Sequence, residues 1–165
     1  MIATAREHLL FRTVAPQAGE PYRHFLAWYP FVLCGFRTGL RLGELLGLQW
    51  GDVDWRKGFI HVQRGWVRGA WTTPKNGPDR TVDMSQQLRT ELRLWRRRQR
   101  ENCLRRGLPS PDLVFPSDER TPLDDSNARK AFDAVVKKAD LRHRSPHAMR
   151  HTFVSLLLQN GESPA

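Results

Sequence analysis

Residues 146–151 read PHAMRH, and within them His147, Arg150 and His151 fall at i, i+3 and i+4, on one face of any helix that forms there. An imidazole exchanges a proton near neutrality, and a guanidinium offers a planar fork to phosphate oxygens. A second fork, Arg41, stands three residues before Glu44 in TGLRLGELLGLQW, and Lys75 precedes the Gly77-Pro78 turn. Lysine adds a point charge whose proton can be given away. Two arginines, a histidine and a lysine on separate elements suit phosphoryl transfer, which asks for positioning and charge stabilisation. The set needs no carboxylate cage for a metal.

Each of these residues also has an ordinary explanation. An isolated R-x-x-E is usually a surface ion pair, yet Gly39, Gly43 and Gly47 cost helix stability in the same stretch, which suits a close approach of backbone or ligand. His147 and His151 have the spacing of a zinc-binding H-E-x-x-H helix, but Ala148 occupies the glutamate position and no third ligand is evident. His151 also fits a half-buried ring holding its helix to a neighbour. Lys75 fits a solvated turn.

The elements that must position these groups follow from pattern. Thr4-Ala5-Arg6-Glu7 fits a capping box for a short helix to about Val14. From Arg23 the run HFLAWYPFVLCGF is apolar all round, which predicts a buried central helix kinked or restarted at Pro30. Leu42, Leu45 and Leu46 continue at helical spacing toward Trp50. FIHVQ, WVRGAW and RTVDM then read as three strands of a small antiparallel sheet. Ser85 caps a helix whose apolar stripe is Leu88, Leu92, Trp95 and Cys103. Another helix after Asp125 buries Phe132, Val135, Val136 and Ala139, and Ser145 with Pro146 opens the last one at His147. The predicted fold class is mainly α with a small three-stranded antiparallel β-sheet, in one domain over residues 1–165.

Composition points to the partner. The 165 residues carry 27 Lys and Arg against 17 Asp and Glu, a net charge of +10, which favours a polyanion such as nucleic acid. Eight arginines lie between Ser85 and Gly107, against Glu91 and Glu101, either as a solvated face or as a track for a DNA backbone. No apolar run approaches a bilayer span and MIATAREHLL lacks the layout of a signal peptide, so a cytoplasmic protein is expected. Cys34 and Cys103 sit in apolar helical contexts and are expected to be reduced and buried.

The segments TGLRLGELLGLQWGDVD, TTPKNGPDRTVDM and SPHAMRHTFVSLLLQNGES resemble, in order, the first arginine box, the β-hairpin lysine and the H-x-x-R-H box of the tyrosine recombinases, or phage integrases. LVFPSDERTPL resembles the family's link between the last two, so the likeness runs from about residue 4 to 165. It implies the catalytic-domain fold of that family and site-specific cleavage and rejoining of double-stranded DNA through a 3′-phosphotyrosyl intermediate. It further implies no cofactor and no metal, a homotetramer assembled on DNA, no membrane, and association with the bacterial nucleoid. Arg41 and Arg150 would clamp the scissile phosphate, Lys75 would protonate the leaving oxygen, and His147 would bond the phosphate and assist proton transfer. Glu44 and His151 match supporting positions.

The family's tyrosine follows its H-x-x-R helix by some tens of residues, whereas Tyr22 and Tyr29 are the two tyrosines in this sequence and both precede Arg41. Core packing is the expected role for both. The resemblance therefore predicts a catalytic domain truncated before its nucleophile, lacking the N-terminal core-binding domain, and inactive by itself. The alternatives are a non-catalytic DNA-binding remnant of a mobile element or prophage and, on active-site residues alone, a type IB topoisomerase.

Overall fold

The structure, a computed structural model, describes residues 22–73, 79–138, 140, 142, 144–159 and 161. The helix expected over residues 4–14 lies outside them. Helix α1, Tyr22–Thr38, is the centre of the fold: Phe31, Val32, Leu33 and Cys34 are all buried, as an all-round apolar run requires. It continues through Pro30 rather than restarting after it. Phe31 meets Trp28 and Phe115 edge to face, each at 5.1 Å. Cys34 and Cys103 are free and buried, and burial pushes the Cys34 thiol up to about 12.

Gly39 ends α1. Its φ of +61° is the left-handed turn that closes a helix, and its N–H reaches back to the Gly35 carbonyl at 3.0 Å. A Cβ at Gly39 would overlap the Phe153 ring. Gly39→Ala is therefore expected to destabilise the fold by about 1–3 kcal/mol, whereas Gly51→Ala, with nothing near its Cβ position, should stay within about 0.5. Urea unfolding of both variants checks the contrast.

The short helix α2, Leu42–Leu46, follows at once. A three-stranded antiparallel sheet is built from β1 (Val53–Asp54), β2 (Phe59–Val62) and β5 (Arg80–Asp83), in the order β1-β2-β5. The expected middle strand WVRGAW is instead a separate hairpin, β3 (Gly65–Val67) paired with β4 (Ala70–Thr72). The reason is local: Arg68 and Gly69 both have positive φ, 51° and 78°, the two-residue turn that folds a strand back on itself. The hairpin lies against α2. A Cβ at Gly43 would stand 3.0 Å from the Trp66 carbonyl oxygen, and one at Gly47 3.0 Å from the carbonyl carbon of Gly65. These two glycines serve a backbone contact.

Helix α3, Gln86–Arg105, is capped by Ser85, whose hydroxyl accepts the Leu88 N–H at 3.3 Å. Leu88, Leu92 and Cys103 are buried as expected, joined by Gln99. Trp95 is only partly buried and donates to the Val114 carbonyl at 2.6 Å. Helix α4, Asp125–Lys138, buries Phe132, Val135 and Val136 together with Ala128; Ala139 is outside the described residues. Helix α5, His147–Gln159, opens after Ser145 and Pro146 and packs along α1.

Candidate phosphate-binding site

Arg41 stands immediately before α2 in extended backbone, and Glu44 lies one turn in. The Glu44 carboxylate accepts the Arg41 backbone N–H at 2.7 Å and its guanidinium at 3.1 Å. This is no surface pair, because Glu44 is only 5% exposed. A second guanidinium completes it: Arg80, first residue of β5, donates to both Glu44 oxygens at 2.9 and 2.7 Å. Burial by itself would raise the Glu44 pKa, but the bonds and charges of Arg80 and Arg41 overcome it and leave the pKa lowered. The carboxylate is thus ionised and shared by two arginines that stay half-exposed.

Helix α5 brings the second element. Met149 is buried, and its sulfur occupies the space where a Cβ on Gly35 would sit. Phe153 covers Gly39, and Arg150 Nη1 donates to the Gly39 carbonyl at 2.8 Å. Three successive contacts therefore hold α5 in one register on α1. Arg150 is brought within electrostatic reach of the cluster: burial, then the charges of Arg41 and Arg80, push its pKa down while Glu44 opposes them.

His147 begins α5, with its ring edge-on to that of His151 at 4.6 Å and 87°. Desolvation first, then the charges of His151, Arg150 and Arg41, lower its pKa. The lowering favours the neutral ring, which can both donate and accept a hydrogen bond. Both histidine rings are exposed. The half-buried clamp expected of His151 is not found, because the face of α5 that meets α1 is taken by Met149 and Phe153.

Arg41, Glu44, Arg150 and His147 are thus drawn into one cationic cluster. Lys75 lies in 74–78, outside the described residues; β4 and Thr73 lead into that segment, and Asp79 with Arg80 leads out of it. The sequence reading missed Arg80. Its signal was weak, one arginine among many, and only its position five residues after Lys75 set it apart. A second buried carboxylate was also missed: Asp52, 3% exposed, accepts from Arg64 at 2.8 Å and from the Gln49 backbone at 2.9 Å. It ties the hairpin entrance to the end of α2. Of the two tyrosines, Tyr29 is half-buried and packs against the core, its pKa raised chiefly by burial, while the side chain of Tyr22 lies outside the described residues.

The model of the phage integrase family matches residues 23–165. The chain belongs to the phage integrase family. Among relatives, the tyrosine recombinase XerC-like protein of Caldanaerobacter subterraneus subsp. tengcongensis is 32% identical over 149 residues, covering 78% of this chain and 38% of its own length. The crystal structure of the XerA recombinase superimposes with a TM-score of 0.72 at 25% identity, over 98% of this chain and 50% of that one. The Tn1549 transposon integrase, solved with transposon right-end DNA, shares the fold with a TM-score of 0.75 at 24% identity, over 99% and 54%. The chain therefore spans about two fifths of the first curated relative and about half of the solved chains. The mainly helical architecture with its small antiparallel sheet is the catalytic-domain fold of the tyrosine recombinases. Among the described residues, no helix is long and apolar enough to cross a membrane.

Proposed function

We propose that these residues form the phosphate-activating part of a tyrosine recombinase that cuts and rejoins double-stranded DNA at specific sites. One observation carries the reading: two guanidinia, Arg41 and Arg80, share the single carboxylate of Glu44, and Arg150 stands within electrostatic reach of all three, so the cluster keeps a net positive charge. A phosphodiester supplies the missing anion. Arg41 and Arg150 take its non-bridging oxygens and stabilise the charge that builds on them as phosphorus becomes five-coordinate. A tyrosine from outside residues 1–165 attacks phosphorus through its hydroxyl oxygen, its proton passing to a ring nitrogen of His147, and the 3′-phosphotyrosyl bond forms as the bond to the 5′-oxygen breaks. Lys75 gives that oxygen its proton, and His147 hydrogen-bonds the phosphate and assists the transfer. In rejoining, a 5′-hydroxyl attacks the phosphotyrosine and the protons return, so no bond energy is lost and neither nucleotide nor metal is consumed. Glu44 supports the site by orienting Arg41, and His151 supports it through its ring contact with His147. Double-stranded DNA is the partner, four copies act together on it, and the cytoplasm, at the nucleoid, is the place of action.

The assignment of Lys75 has a direct test. With a relative's tyrosine-bearing segment joined after Glu162 and a core-binding domain placed ahead of Met1, Lys75→Ala should cleave poorly. A substrate with sulfur at the 5′-bridging position should restore its rate, because a thiolate leaves without a proton, while Arg150→Ala should stay defective on the same substrate. Sulfur that rescues both variants, or neither, would return Lys75 to the role of a solvated turn residue.

A further inference from the structure

The arginine run of α3 plays no part in the phosphate site. Arg93, Arg96, Arg97 and Arg100 recur at i, i+3, i+4 and i+7 and share a face of the helix. With Trp55 and Leu104 they line an open concavity of about 450 Å³. Its floor is rigid. Trp55 stacks on the buried Trp50 at 6.1 Å and 24°, Trp50 donates to Gln99 at 2.8 Å, and Gln99 donates to the Val114 carbonyl at 2.9 Å. Two guanidinia lie over this shelf, Arg93 at 5.6 Å from Trp55 and Arg96 at 5.3 Å from Trp50.

The charges of the concavity are not balanced. Glu101 pairs with Arg97 at 2.8 Å, but among the described residues Arg93, Arg96 and Arg100 have no carboxylate partner. Arg96 is partly desolvated beside the like charge of Arg100, an arrangement that an incoming anion relieves. The register of the sheet separates this place from the phosphate cluster: Val62 faces Arg80 at one end of β2, and Phe59 faces Asp83 and Asp54 at the other, with Trp55 next along the chain. Along a four-residue strand that is a separation of about 10 Å.

We propose that this concavity docks an acidic peptide segment of a partner protein, one that carries an apolar side chain beside its carboxylates. Arginines resting on indoles keep their in-plane N–H groups for planar carboxylates. Leu104, 82% exposed, and the Trp55 ring offer apolar surface that a sugar-phosphate backbone cannot cover. The Glu101 carboxylate repels phosphate, whereas a peptide can steer a neutral or apolar residue past it. The hollow is of side-chain size, while duplex DNA presents a broad convex surface.

The proposal stands independently of the recombination reading, and the 165-residue chain itself tests it. The probe is a short synthetic peptide whose aspartates and glutamates flank one leucine, titrated while the Trp55 indole N–H resonance is followed by NMR. Saturable movement of that resonance is expected. Affinity should fall roughly tenfold or more in Arg93→Gln/Arg100→Gln, two exposed positions where folding is not at stake, and severalfold in Leu104→Ser. Replacing the peptide's acids by their amides should abolish the movement. An unmoved resonance, or binding indifferent to the arginine pair, overturns the proposal. So does a duplex DNA that moves the resonance in the peptide's place and loses salt dependence in the arginine variant, which would make the hollow part of a DNA track.

Discussion

Arg150→Ala is expected to lower DNA cleavage by at least about a hundredfold, the usual cost of removing one preorganised charge donor from a transition state. The measurement is single-turnover cleavage of a nicked suicide substrate, in a recombinase where these residues are joined to a relative's tyrosine segment and core-binding domain. Binding should change far less, because one phosphate is a small part of a footprint held by a surface of net charge +10. The split between unchanged binding and lost chemistry is the informative part. Arg150→Lys should recover little, since lysine keeps the charge but not the fork that bonds the Gly39 carbonyl while facing a phosphate. An alanine variant that binds weakly yet cleaves what it binds at the normal rate would remove Arg150 from the transition state.

Glu44→Gln should carry the largest effect on stability, a loss of about 3–5 kcal/mol. The amide cannot neutralise two guanidinia, so Arg41 and Arg80 would face each other across a buried uncharged group. The pH dependence follows from the same contacts. The folded-state pKa of Glu44 lies below its unfolded value of about 4.3, so its stabilisation is present above that pH and is lost as pH falls through the folded value. Stability measured by urea unfolding should therefore drop on the acid side in the wild type, and that part of the drop should vanish in Glu44→Gln. An acid limb of equal slope in both proteins would show that the carboxylate is not held ionised by its arginines.

Helices were legible where burial is one-sided or complete. The run around Phe31 could only be a central helix, and the stripe of Leu88, Leu92 and Cys103 announced α3 from a single face. The neighbourhood of Arg41 with Glu44 and of His147 with Arg150 was legible too, because each pair is close in sequence: the first meets as a helix cap, with Arg41 in extended backbone, and the second lies within one turn of α5. What the sequence hid was long-range or set by φ. The left-handed Arg68 turned one apparent strand into a hairpin, although Arg-Gly is not the usual pair for such a turn. The two bonds from Arg80 to Glu44 span 36 positions, and no local period reports a partner at that distance. The glycines of α2 were read correctly as a close approach, but only the fold shows that backbone rather than ligand arrives there.

The bond from Arg150 to the Gly39 carbonyl spans 111 positions, so Arg150 is synthesised long after the arginine it is proposed to work with, Arg41. A chain leaving the ribosome exposes Arg41 and Glu44 before Arg80, and Arg80 before Arg150, so the Glu44 cluster can form while α5 is still to come. Contacts of such long separation form late, after the intervening loop entropy has been overcome. Under the proposed reading, a half-made or locally unfolded protein can cling to DNA through its charge and still be unable to squeeze a phosphodiester between two guanidinia. On that same proposed reading, the docking of Met149 and Phe153 onto Gly35 and Gly39 acts as an assembly checkpoint, withholding cutting power from every chain whose α5 has yet to dock.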